Sequence, residues 1–378
     1  MASALIRVSV SPGERRVALL RDDRLQQVAI ERPARPDGLG DLHRARVSAI
    51  SKPMSGAFLL LADGTTAFLP DSEAPDRKAL HEGAILPIRI TRAGQGGKGP
   101  RATARVTEAE RAAAAAAGPG VALIRRGPDA PLRLALREPS AEVATDSPAE
   151  AARLKRLLGD RVRLLREPAF DDELEAEFDL LAGQEVPLPG GGRLTIHPTP
   201  ALTAIDVDAG AHAGGGDAAS QLRLNHAAVE EAARQIRLRE LAGAILLDVA
   251  GMPVRRREAL SAPLAAALDA DPLKPRLLGL TRLGLFEIQR PRIQPPLHEV
   301  LGAPPSALTH GLIALRRAAR EAASAPGRAW ALRAHPLVLA ALEGLPGALA
   351  EMTAFAGRAL RLVPDAALPP GREQVEEA

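Results

Sequence analysis

Two apolar segments that each carry aspartate near their C-terminal end, separated by one long amphipathic segment, constrain this chain more than any other feature. Ala201–Asp208 (ALTAIDVD) is rich in β-branched residues and alternates, which predicts a strand. Asp217 or Ser220 then caps a helix running to Glu240, with apolar residues at 224, 228, 229, 232, 236 and 241. After Gly243, Ala244–Val249 (AILLDV) is a continuous apolar run, the pattern of a strand buried on both faces. A β-α-β unit follows, with parallel strands and a right-handed crossover. A second helix, Val254–Asp269, and a strand, Arg276–Thr281, are expected to repeat the pattern.

The carboxylates fall where such a fold puts chemistry. Asp206 and Asp208 stand at i and i+2, so both leave one face of a strand, and Asp248 lies near the end of the next. In a doubly wound sheet those strand ends line the ligand crevice. Three carboxylates together repel one another unless a cation lies between them. With no cysteine and no suitably spaced His pair, the donors are oxygens, which suit Mg²⁺ (or Mn²⁺) and not zinc. In the other reading, Asp206 and Asp208 merely open a loop and Asp248 caps a turn. Against it, an unpaired carboxylate within AILLDV would cost several kcal/mol to bury.

The rest of the chain supplies context. At 378 residues, 46% hydrophobic and 25% charged, it has the composition of a multidomain globular protein. Only five of its 49 basic residues are lysine, and net charge is +3, so composition permits a nucleic-acid partner without arguing for one. No apolar run approaches the ~20 residues of a membrane span, and MASALIRVSVSPGERR lacks a signal-peptide layout; a cytoplasmic location is expected. Residues 4–10 and 16–31 read as a hairpin turning at Arg21-Asp22-Asp23. Arg44–Ile50, Gly56–Leu61, Thr66–Leu69 and Ile85–Ile90 read as strands of a small closed barrel, followed by a glycine-rich mobile loop, Ala93–Pro100. Residues 120–137 read as a strand pair, 147–158 and 170–182 as helices, and PGGGR (189–193) as a hairpin turn. Two helices and a closing strand are expected over 308–364, with 365–378 frayed.

At LTAIDVDAG (202–210), AVEEAARQIRLRELAGAILLDVAGM (228–252) and LTRLGLFEIQRPRIQPPL (280–297), the sequence resembles the ribonuclease E/G family. SGAFLLLADGTTAFLP (55–70), with HEGAILPIRI and GGKGP, resembles that family's RNA-binding OB barrel. The resemblance implies an α/β, α+β multidomain fold. Its parts would be an RNase H-like subdomain (1–38 and 147–186) with an inserted OB-fold barrel (39–103), a reduced 5′-sensor-like segment (104–146), a DNase I-like catalytic subdomain (187–305) and a small C-terminal α/β domain (306–378). It implies a Mg²⁺-dependent endoribonuclease acting on single-stranded, A/U-rich RNA in rRNA processing or mRNA turnover. The family's metal-binding aspartates fall on Asp206 and Asp248, and a third catalytic position, normally Asn, on Asp208.

Three departures stand out: Asp at 208, no two-cysteine zinc link, and a shortened sensor in which only GPGVALIRRG remains, with Arg125 in the phosphate position and Arg126 where the family has Thr. A homodimer would need an interface other than the zinc link. The resemblance also implies RNA contacts at Phe58, Phe68, Lys98 and Arg125, and of Arg282, Arg290 and Arg292 around LGLFEIQR, Arg282 is the best placed to face the cleft and contact RNA. From the residues alone, the favoured reading of Phe58 and Phe68 is that they fill the barrel core, and Lys98 reads also as a solvated loop charge. Arg255, Arg256 and Arg257 read as phosphate contacts or a solvated helix face, and His212 as a loop residue near the carboxylates. The competing function is a non-catalytic single-stranded RNA-binding protein on a degenerate scaffold.

Overall fold

The computed structural model describes residues 4–76, 80–189, 191–210 and 218–378. His212 and Asp217 lie outside them. The chain divides into two compact units, one holding residues up to Pro36, Ala130–Gln289 and Leu297–Ala378, the other Asp37–Asp129 with Arg290–Pro296. Among the described residues no single helix is long and apolar enough to cross a membrane.

The chain opens with a meander of β1 (Ala4–Ser11), β2 (Glu14–Arg21) and β3 (Arg24–Glu31). Three strands form where one hairpin was expected, because the chain also reverses at Pro12-Gly13. Asp22 and Asp23 both have positive φ, the geometry of the two-residue turn that matches strand twist.

The second unit is a closed five-stranded barrel, consistent with an OB-fold. Its strands are β4 (Leu42–Ser51), β5 (Gly56–Leu60), β6 (Thr66–Pro70), β7 (Ile85–Arg92) and β8 (Arg101–Thr103). They pair in the order β5-β6-β8-β7-β4, and β4 pairs with β5 to close the ring. Val47, Ala57, Leu59, Ala67, Leu69, Ile88 and Ile90 fill its interior. The glycine-rich loop is a tight hairpin in which the Gln95 and Lys98 backbones exchange hydrogen bonds of 3.0 and 3.1 Å. Helix α1 (Glu108–Ala116) starts from a capping box of Thr107 and Glu110, and β9 (Ala122–Arg125) adds to β4.

Where a strand pair was expected over 120–137, only β9 is a strand, and Ala130–Arg137 is helix α2. Its APLRLALR alternates like a strand, but alanine, leucine and arginine are strong helix formers and its Pro lies in the first turn. There follow β10 (Glu142–Thr145), α3 (Pro148–Leu158), β11 (Val162–Leu164) and α4 (Asp172–Leu180). The first sheet, β11-β10-β1-β2-β3, packs α2 and α3 on one face through Ala135, Ala151 and Leu154. Phe170, Leu174 and Phe178 cover the other.

The carboxylate-bearing sheet comprises β12 (Glu185–Pro187), β13 (Arg193–Pro198), β14 (Leu202–Asp208), β15 (Gly243–Asp248), β16 (Arg276–Leu280) and β17 (Phe286–Arg290). Helix α5 (Ala218–Leu238) links β14 to β15, which are parallel as expected. The predicted helix 254–269 is broken into α6 (Val254–Arg257), a 3-10 turn and α7 (Ser261–Leu268). The strand beside β15 is β17, not β16; β16 is the edge strand, antiparallel to β17. Residues 281–285 turn tightly on Thr281 and Gly284, so the pair closes as a hairpin and no crossover brings β16 alongside β15.

This sheet is not buried on both faces. Ile205, Val207, Ile245, Leu247, Phe286 and Ile288 pack with α5 and α7 through Val229, Ala232, Ile236 and Leu264. The alternate residues, among them Ala244, Asp206, His197 and Gln289, are exposed. The apolar run at 244–249 therefore overstated the burial of β15: with helices on one side only, Ala244 and Leu246 face outward and need no partner layer.

Helices α8 (Leu297–Leu301) and α9 (Ala307–Ser324) lead into β18 (Trp330–Ala334), α10 (Pro336–Glu343), α11 (Ala348–Ala356), β19 (Arg361–Pro364) and β20 (Gln374–Glu377). The end of the chain is not frayed: β20 pairs antiparallel with β18, its Val375 packed against the Leu332 and Leu342 core.

Candidate functional site

Asp206 and Asp248 are register partners on the adjacent parallel strands β14 and β15, so both side chains project from the sheet face that no helix covers. Asp206 is exposed and has no hydrogen bond or ion pair among the described residues. Asp248 is held. Arg257 Nη1 donates to its Oδ1 at 2.6 Å and to the Gly284 carbonyl at 2.9 Å, while Arg257 Nε donates to the Met252 carbonyl at 2.9 Å. One guanidinium thus ties the end of β15, α6 and the β16–β17 turn together. Arg282, exposed, sits in that same turn.

Asn225, fully buried on α5, grips the loop after Asp248 from the other side. Its Oδ1 accepts from the Ala250 N–H at 3.0 Å and its Nδ2 donates to the Ala250 carbonyl at 2.9 Å. At Gly251 φ is +59°, a left-handed conformation that favours glycine, and the end of the Gln221 side chain on α5 lies where a Cβ would stand. Neither Asn225 nor the particular role of Arg257 emerged from sequence reasoning. Asn225 carried a signal, since it interrupts the apolar stripe 225, 229, 232, 236 and a polar residue there must find partners. Nothing in RRR (255–257) marks which arginine turns inward.

Asp208 is not brought against Asp248. Its Oδ2 pairs with Arg193 Nη2 at 2.9 Å, and its Oδ1 accepts from the Gly210 N–H at 2.9 Å. That backbone N–H, with the Arg193 charge, holds the Asp208 carboxyl below its ordinary range. Of the three carboxylates, two thus carry a guanidinium partner and Asp206 alone does not. Among the described residues no group of three or more His, Asp or Glu converges to hold a metal. Two carboxylates on a solvent-open sheet face are nonetheless a donor set that Mg²⁺ commonly takes, its other positions going to water, and the residues fit such an ion.

The other site residues lie in the barrel unit. Phe58 and Phe68 are cross-strand partners with ring centroids 5.5 Å apart. Their neighbours Ala57, Leu59, Ala67 and Leu69 are fully buried while both Phe rings are half-buried, so the pair lies on the outer face and not in the core. Gly56 is required beside them, because a Cβ there would meet the Phe68 ring at 2.5 Å. Lys98 is exposed on its hairpin. Arg125 is exposed and donates to Glu110 Oε1 at 3.2 Å; Arg126 is paired with Asp41 at 2.5 Å.

The fold defines a mixed α/β protein with a closed barrel and a carboxylate pair in register on two central strands of an open sheet face. A family model described as the ribonuclease E/G family matches residues 132–293. The chain is 37% identical to ribonuclease E of Escherichia coli over 129 residues, 34% of this chain and 12% of that protein. It is 32% identical to ribonuclease E of Haemophilus influenzae over 43% of this chain and 19% of that protein. To ribonuclease G of E. coli it is 26% identical, over 79% of this chain and 82% of the relative. The match thus spans under a fifth of either ribonuclease E but most of ribonuclease G. Over residues 132–293 the chain is thus similar to the ribonuclease E/G family.

Proposed function

We propose that this protein is an endoribonuclease that binds single-stranded RNA on its barrel and hydrolyses a phosphodiester at Asp206 and Asp248. The observation that carries the reading is the register of those two carboxylates on the uncovered sheet face, where a strand of RNA can reach them. Mg²⁺, or Mn²⁺, is the cation we assign to them; when bound it would polarise the phosphate and acidify an attacking water. Asp206 offers an unengaged carboxylate, and Asp248 is oriented by Arg257 through Oδ1. Attack in line leaves a 5′-phosphate and a 3′-hydroxyl. Phe58 and Phe68 stack bases, each worth about 1–3 kcal/mol, and Lys98 and Arg282 take phosphates. The carboxylate-bearing sheet and its helices are the DNase I-like part of this reading, and the first sheet the RNase H-like part. Substrates of A/U-rich character, in rRNA processing or mRNA turnover, complete the proposal.

The test compares wild-type protein and Asp206→Asn on a fluorescent A/U-rich oligonucleotide with Mg²⁺ and with EDTA. Cutting by the wild type alone, abolished by EDTA, is the expected outcome. Tight binding without cutting by either protein would overturn the nuclease and leave an RNA-binding protein.

A further inference from the structure

A second feature of the barrel is unexplained by its packing. Phe58, Phe68, Arg101 and Arg92 are successive cross-strand partners on β5, β6, β8 and β7, one transverse row. Partners in a row share a face, so the two arginines continue the aromatic pair around the barrel. A register irregularity between Ile90 and Arg92 turns Arg92 out of the alternation that buries Ile88 and Ile90. The Ala93 N–H donates to the Ile293 carbonyl at 2.9 Å, which lays the segment bearing Arg292 alongside the end of β7.

These three arginines face one another without an acid. Among the described residues none of them has a carboxylate partner, and Arg92 Nε is buried with no hydrogen bond. Burial first, and then the charges of Arg101 and Arg292, pull the Arg92 pKa down. The unit neutralises arginines elsewhere: Arg89 and Arg125 share Glu110, and Arg126 has Asp41. Three like charges left together are stabilised by an anion from outside the chain.

We infer that Arg92, Arg101 and Arg292 form a phosphodiester-binding site for a single strand whose bases stack on Phe58 and Phe68. This rests on the RNA-binding half of the proposed function, not on the cleavage half. The ligand is an internal phosphate of the strand; a terminal phosphate has the same chemistry and is separated by the experiment.

Fluorescence anisotropy of the full chain in EDTA, with 5′-hydroxyl and 5′-monophosphate A/U-rich oligonucleotides across a salt series, tests it. Arg92→Gln, Arg101→Gln and Arg292→Gln are each expected to weaken both oligonucleotides alike and to lower the salt slope by about 0.7. Phe58→Ala should weaken binding and leave the slope unchanged. Arg101→Glu creates an ion pair with Arg92, so it should raise the melting temperature and still lose RNA, a combination that a structural role for Arg101 would not produce. An unchanged slope in all three Gln variants overturns the site, as does loss confined to the 5′-monophosphate strand. Absence of binding by the wild type would instead sink the RNA reading itself, and EDTA keeps either result independent of cleavage.

Discussion

Single side chains decide how well the carboxylate pair is built. Arg257 holds Asp248 through one oxygen while two backbone carbonyls hold Arg257, so the guanidinium is fixed where it meets the carboxylate. Removing a partner of this kind typically costs 10–100-fold in metal affinity or activity. Arg257→Gln is expected to slow cleavage by about that factor with RNA affinity in EDTA unchanged, and Mn²⁺ titration followed by electron paramagnetic resonance should show the matching loss of cation affinity. Retention of both would remove Arg257 from the site. Asn225→Ala leaves the Ala250 N–H and carbonyl without their partner, which predicts a loss of about 2 kcal/mol in urea unfolding. At this scale the sequence was partly readable. Asp206 and Asp248 stood out because each falls near the C-terminal end of one of two strands predicted to lie parallel, whereas Arg193 and Arg257 became partners of Asp208 and Asp248 only through register and turn geometry.

Between elements, charge is used to join helix and sheet. Arg16 on β2 donates to both Glu175 oxygens on α4 at 2.6 Å and lies over the Phe170 ring, 4.6 Å from its centroid, while Arg320 on α9 also reaches Glu175. Burial pushes the Glu175 carboxyl up, but the Arg16 hydrogen bonds and the charges of Arg16, Arg320 and Arg316 hold it below its ordinary value. Its folded pKa lies below its unfolded one, so the stability it contributes is present above the ordinary value of 4.5 and is lost as pH falls through the lowered folded value. Glu175→Gln should therefore be less stable than wild type at pH 7, with the gap closing in acid, as measured by urea midpoints from pH 7 to pH 3. A constant gap would refute the linkage. Element boundaries followed alternation and helix periodicity closely, for example at β14 and β15. They misled at 130–137, where alternation and helix propensity conflict, and at β16, whose neighbour is set by turn closure.

For the whole chain, the residues proposed for stacking and for cleavage belong to different compact units, Phe58 and Phe68 in one and Asp206 and Asp248 in the other. Phe58→Ala with Phe68→Ala should raise Kd at least tenfold on the stacking scale with the single-turnover rate at saturation little changed. Asp206→Asn should do the reverse, and one variant damaging both would contradict this division. The β14-α5-β15 unit, the parallel pairing of its strands and the aspartates at their ends were already determined by the sequence, since apolar period acts along the chain. Only tertiary structure decided that the carboxylate sheet is covered on one face, that Phe58 and Phe68 lie outside the barrel, and that Arg92, Arg101 and Arg292 gather without an acid. Each depends on which strand lies beside which, and pairing between distant segments leaves no period in the sequence.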